Sequence, residues 1–108
     1  MKELTMQDKF PERDHPKEFY ELTDEQQERL LSWCNSLDKI DSFNWNNSSY
    51  GLKHIFEDSP QCFYVTNGQF KGAMLLAGFS VKDKNQVNWN FNVSKKSIKE
   101  KRSVNGAL

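Results

Sequence analysis

Between Val87 and Val93 the chain reads Val-Asn-Trp-Asn-Phe-Asn-Val, an unbroken alternation of apolar and polar side chains. A period of two belongs to an extended strand with one buried face, because successive side chains leave a strand on opposite sides. This is the clearest strand signal in the sequence. It predicts that Val87, Trp89, Phe91 and Val93 face a core while Asn88, Asn90 and Asn92 face water. Upstream lie Phe79-Ser80-Val81 and a polar turn, Lys82-Asp83-Lys84-Asn85-Gln86. The two apolar segments are expected to pair as a hairpin with Lys82 and Lys84 at its tip.

The other segments read mainly as helices. Thr23-Asp24-Glu25-Gln26 carries the residues of a capping box, with acidic side chains where the helix dipole favours them. Leu30, Trp33, Cys34 and Leu37 follow at helical spacing, predicting a helix to about residue 37 with Glu25, Glu28 and Arg29 on its solvated face. Asp38–Asn47 reads as a loop anchored by Ile40, Phe43 and Trp45. A second helix begins at Asn47 or Ser48, both good caps, carries Tyr50, Leu52, Ile55 and Phe56, and stops before Pro60. Cys62-Phe63-Tyr64-Val65 is β-prone. Thr66 and Gln69 repeat the capping pattern ahead of Phe70, Ala73, Met74, Leu75, Leu76 and Ala77. These cover most of a helix circumference, so that helix is central and exposes little beyond Asn67, Gln69 and Lys71. Gly78 is placed as its left-handed stop. Ser94 can cap a short basic helix, Lys95–Arg102.

The expected organisation is an N-terminal arm (residues 1–21), one domain (22–103) and a frayed tail (104–108). The arm should pack in part through Phe19 and Tyr20. The predicted class is α+β, with helices packed on a small antiparallel sheet in the order helix, helix, strand, helix, hairpin, basic helix. That order is winged-helix-like, although the strand before the third helix is out of place for the commonest version. Apolar residues make up only 36%, but eight Phe, three Tyr and three Trp supply large buried areas. A thin aromatic core is expected around Leu30, Leu52, Phe56, Phe70, Met74, Trp89 and Phe91.

No apolar run approaches the roughly 18 residues of a membrane span, and the first ten residues carry charges where a signal peptide is apolar. A cytoplasmic protein with reduced Cys34 and Cys62 is expected. Cys34, Cys62, His15 and His54 lack the close pairs of a zinc site, no glycine pattern suits a nucleotide, and no carboxylate pair stands out as an acid/base couple. Neither a cofactor nor catalysis is expected; a Cys62/His54 nucleophile pair is sterically conceivable but lacks an orienting group.

Net charge is zero, yet residues 1–60 hold 13 carboxylates against 7 cations and residues 61–108 hold 2 against 8. Solvated surface explains such clustering; so does a dipolar molecule with an acidic face for a basic partner, a basic region for an acidic one, or both. The acidic candidates are Asp14, Glu18, Glu21, Glu25 and Glu28. The basic ones, for nucleic acid or a protein partner, are Lys82, Lys84, Lys95, Lys96, Lys99 and Arg102.

The block Ser48-Ser49-Tyr50-Gly51-Leu52-Lys53-His54-Ile55-Phe56-Glu57, with Phe63-Tyr64-Val65-Thr66-Asn67, Phe70-Lys71-Gly72-Ala73-Met74-Leu75 and Asn88-Trp89-Asn90-Phe91-Asn92-Val93-Ser94, resembles small accessory proteins of phages, plasmids and conjugative elements of low-GC Gram-positive bacteria. The resemblance spans roughly residues 47–94. It implies an inhibitor of host defence, such as an anti-CRISPR protein that blocks an RNA-guided nuclease, and it carries over no functional residue. The alternative is a winged-helix-like nucleic-acid-binding accessory protein.

Overall fold

The computed structural model describes residues 15–60 and 62–106. A 3-10 helix, Pro16–Glu21, is followed by α1 (Asp24–Asn35), α2 (Ser49–Glu57), α3 (Asn67–Leu76) and α4 (Lys95–Gly106). Most of the expected arm, including Asp14, lies outside the described residues. Its last turn is the 3-10 helix, whose Phe19 is buried and which packs against α3. Tyr20, the other expected anchor, is exposed.

The helix starts follow the sequence closely. Thr23 and Thr66 each accept from the backbone three residues on, and Gln26 and Gln69 accept in return from the threonine N–H groups. These boxes fix α1 and α3. Ser94 Oγ accepts from Ser97 N–H at 3.3 Å, and α4 then runs to Gly106, beyond its expected end at Arg102. At the end of α3, Gly78 has φ +91°, Gly78 N–H donates to Leu75 O at 3.0 Å and Phe79 N–H donates to Met74 O at 3.1 Å. That is the Schellman arrangement, which needs a left-handed residue after the helix.

The expected α+β class and the winged-helix order are corrected. Among the described residues there is no strand and no sheet, only three isolated antiparallel bridges: Val81 with Phe91, Ser48 with Asn90, and Lys39 with Val93. The reason lies in residues 87–93 themselves. Their backbone is shared among several short neighbours instead of one partner strand. Trp89 O accepts from Ser49 N–H, Asn90 O from Lys82 N–H, Phe91 O from Asn44 N–H and Asn92 O from Ile40 N–H. The asparagines replace the rest of a ladder. Asn90 Nδ2 donates to Asn44 O at 3.0 Å, Asn92 Nδ2 to Ile40 O at 3.2 Å, and Asn92 Oδ1 accepts from Ser80 N–H at 2.7 Å. A side-chain amide offers the same donor and acceptor as a peptide group, so it can bond irregular chain where a strand would need register. Residues 62–65 likewise form no strand, and Val65 N–H donates to the Glu57 carboxylate at 3.1 Å.

Period-two burial survives without the sheet. Trp89, Phe91 and Val93 are fully buried, but Val87, expected inside, is 46% exposed. The seven named core residues are all buried. Edge-to-face aromatic contacts link them: Trp33 meets Phe56 and Phe70 at 5.5 and 6.0 Å between ring centres, and Phe91 meets Trp89 and Phe79 at 6.2 and 6.4 Å. Such pairs add about 0.5–1.5 kcal/mol each beyond area burial. Two of the residues expected to be exposed on α3 are buried instead. Lys71 is fully enclosed with Nζ 4.6 Å from the Trp89 ring centre, and Asn67 belongs to a buried polar junction. There Ser49 Oγ donates to Asn67 Oδ1 at 2.9 Å and accepts from Trp89 N–H at 3.0 Å, while Asn67 Nδ2 donates to Val87 O at 3.2 Å. The junction ties the first turns of α2 and α3 to the extended segment.

Candidate functional site

Three surfaces stand out, and two of them follow the charge division of the sequence. The first is the outer face of α1. Leu30, Trp33, Cys34 and Leu37 point inward. At 100° per residue the opposite side carries Glu25, Glu28, Ser32 and Asn35 in one stripe. Glu21, Asp24, Glu25 and Glu28 are exposed, and none is ion-paired with another described residue. Glu18, on the 3-10 helix, is only half-exposed. Beyond Glu28 the surface dips into a shallow depression lined by Glu28, Leu31, Ser32, Asn35 and Ser36. The stripe therefore grades from carboxylates into small polar groups beside a half-exposed leucine.

The second surface is a groove between α2, the start of α3 and the extended segment, and it went unrecognised in the sequence. Tyr50, Lys53, His54, Glu57, Tyr64 and Asn88 are among its lining residues, and its volume is about 570 Å³. Its floor is pinned. The Lys53 stem is buried and its ammonium lies 3.2 Å from both Glu57 oxygens, over the rings of Tyr50 and Tyr64 at 5.5 and 5.2 Å. His54 Nδ1 lies 3.2 Å from Glu57 Oε1, and the imidazole stands edge-on to Tyr50 at 4.5 Å. His54 is thus committed to Glu57 and Tyr50, which gives the conceivable Cys62 pairing no support. The spacings Tyr50–Lys53, Tyr50–His54 and Lys53–Glu57, three and four residues apart, were the available signal. They place these groups on one helix edge, but Tyr50 was read as part of the apolar stripe.

The third surface is basic. Lys82, Lys84, Lys95, Lys96, Lys99 and Arg102 are all exposed. Lys95, Lys99 and Arg102, four and three residues apart, share one exposed face of α4, beside the buried Ile98. Arg102 Nη2 donates to Asn47 Oδ1 at 2.9 Å, bringing this row to the loop before α2. Lys82 Nζ reaches the same loop, 5.6 and 5.9 Å from the ring centres of Phe43 and Trp45. Lys101 is turned inward over Trp33 at 5.5 Å.

Burial raises the pKa of the Cys34 thiol well above the usual range, an effect the nearby Lys101 charge opposes only in part. Among the described residues no group of three or more His, Cys, Asp and Glu side chains is arranged to hold a metal. No helix among them is long and apolar enough to cross a membrane. Comparison with protein-family models, curated proteins and solved structures finds no match to this chain.

Proposed function

We propose that this protein is a non-enzymatic inhibitor from a mobile element of a low-GC Gram-positive bacterium. It acts in the host cytoplasm by stoichiometric binding to a nucleic-acid-processing protein, with an RNA-guided CRISPR nuclease as the foremost target. The observation that supports this reading is the outer face of α1, where Asp24, Glu25 and Glu28, with Glu21 at the end of the preceding 3-10 helix, stand exposed with no ion pair to another described residue. Enzymes that handle nucleic acid present cationic grooves to phosphates, and a helix edge of carboxylates offers charge of the same sign. Complementary fields of this kind raise association rates by about 10–1000-fold, an advantage that salt removes.

The test is titration of a purified RNA-guided nuclease with this protein, read as target cleavage and as binding in the presence of competing target DNA. Inhibition should saturate near one equivalent and target DNA should compete. The double change Glu25→Lys with Glu28→Lys should weaken binding at least tenfold and remove its salt sensitivity. Its melting curve should stay put, because both side chains are solvated. Undiminished inhibition by that variant would sink the choice of surface. Absence of binding across a panel of such nucleases would sink the target.

A further inference from the structure

The loop between α1 and α2 holds Trp45 66% exposed, more than any other large apolar side chain among the described residues. An isolated exposed aromatic needs no explanation when it sits on a loose loop. This one is held out by a built support. Asn44, just before it, is 2% exposed and bonded on every side. Its N–H donates to Phe91 O at 3.0 Å, its Nδ2 to Val93 O at 3.4 Å, its O accepts from Asn90 Nδ2 at 3.0 Å, and its Oδ1 accepts from Asn46 N–H at 2.9 Å. The chain is fixed under the indole and the ring faces solvent.

Cations from two distant segments converge on this loop. Lys82 Nζ lies 5.9 Å from the Trp45 ring centre, and Arg102 is bonded to Asn47, two residues beyond it. Lys99 and Lys95 continue the Arg102 row along α4, and Lys84 follows Lys82. Asp83, between those lysines, accepts from Asn85 N–H at 2.9 Å and from the Gln86 amide at 3.4 Å, within its own turn. Asp38, Asp41 and Glu100 are also exposed in these segments, but the five cations outnumber them.

A fixed aromatic face flanked by lysine and arginine suits single-stranded nucleic acid, in which an unpaired base stacks on the ring and the phosphates meet the cations. A duplex keeps its bases stacked on each other and would engage the cations alone. An acidic peptide would likewise leave the indole unused. We propose that Trp45, Lys82 and Arg102, extended by Lys99 and Lys95, form a binding surface for single-stranded nucleic acid. This goes beyond the inhibitor reading, which uses the other pole of the molecule.

The test uses the full chain and fluorescent 12-mers of dT and of rU, a duplex of the same length and poly-glutamate, each titrated at two salt concentrations. Single strands should bind more tightly than duplex and poly-glutamate. Tighter binding of rU would mark RNA as the natural ligand, and tighter binding of dT would mark DNA. Trp45→Ala should cost about tenfold or more in affinity with little change in salt dependence, and Trp45→Phe should restore most of it. Lys82→Ala with Arg102→Ala should weaken binding and flatten the log–log salt slope by roughly 0.7 per lost phosphate contact. Glu25→Lys with Glu28→Lys should not weaken oligonucleotide binding, so this surface and the α1 face can fail separately. Equal affinity for duplex or poly-glutamate, a silent Trp45→Ala variant that melts normally, or no binding at low salt would each overturn the proposal.

Discussion

Ser48 and Ser49 stand side by side at the start of α2, and the structure gives them very different weight. Ser48 occupies the cap position, yet its side chain makes no capping hydrogen bond. Ser49 is fully buried, and its hydroxyl both accepts from Trp89 N–H at 3.0 Å and donates to Asn67 Oδ1 at 2.9 Å. Ser49→Ala removes both bonds at once. Leaving the buried Trp89 N–H without its acceptor costs about 1–3 kcal/mol, and the lost bond to Asn67 adds about 0.5–1.5. The better helix propensity of alanine offsets about 0.5 kcal/mol. The net loss should be about 1–4 kcal/mol, or about 5–20 °C in Tm for a domain of this size. Ser48→Ala should change stability by less than about 0.5 kcal/mol. Urea and thermal unfolding of both variants decide the matter. Equal, small effects would mean that the junction does not hold α2, α3 and the extended segment together. A double-mutant cycle with Asn67→Ala should show strong non-additivity, because the residues share one network.

Gly78 and Gly51 should respond in opposite directions to an added Cβ. Gly78→Ala forces φ +91° on a residue with a Cβ, so it should destabilise by about 1–2 kcal/mol even though the Cβ would meet nothing closer than Lys39 Cε at 3.5 Å. Gly51→Ala, inside α2 with only Asn47 Oδ1 at 3.9 Å, should stabilise by about 0.5–1 kcal/mol; chemical denaturation of both tests this. The thiols should separate as well: exposed Cys62 should label readily at pH 8, whereas buried Cys34 with its raised pKa should label only on unfolding. Two thiols reacting at one rate in the native protein would refute that burial.

Helix starts were legible because capping is local chemistry. Thr23 with Gln26 and Thr66 with Gln69 need only three residues between them to satisfy each other, and tertiary context did not alter the outcome. Burial at Trp89, Phe91 and Val93 was legible for the same kind of reason: an extended backbone alternates faces whether or not it belongs to a sheet. The sheet itself was not legible. Alternation reports an extended chain with one buried side and is silent about what bonds its edges. Here irregular chain and asparagine amides fill that role, so polar positions that resembled a solvated face became the mortar. Lys71 was misplaced by a different route. Helical spacing put it on the open side of α3, but the 3-10 helix and the extended segment enclose that helix almost all round, and the Trp89 ring lies against its ammonium.

Charge was the more transparent part of the candidate surfaces, because an exposed lysine or glutamate needs no partner to be where its sequence suggests. Glu25 and Glu28 on α1, and Lys95, Lys99 and Arg102 on α4, remain on solvated faces. What the sequence could not supply was the aromatic half of each surface. Trp45 and Tyr50 carry the same apolar label as Trp33 and Phe56, and periodicity cannot separate a ring inside a stripe from one at its edge. Trp45 owes its exposure to long-range bonds, from Asn44 to Phe91 and Val93, whereas Tyr50 stands beside the local Lys53–Glu57 pair of its own helix. Those bonds also bear on how the two poles would work together. The buried Ser49–Trp89 pair ties α2 to the extended segment, and Asn44 ties that same segment to the loop presenting Trp45. The basic surface is therefore set by the core and not by the α1 carboxylates, so charge reversal at Glu25 and Glu28 should leave its geometry unchanged. A partner on α1 and a strand at Trp45 would then bind with little coupling between them, each reporting on its own surface.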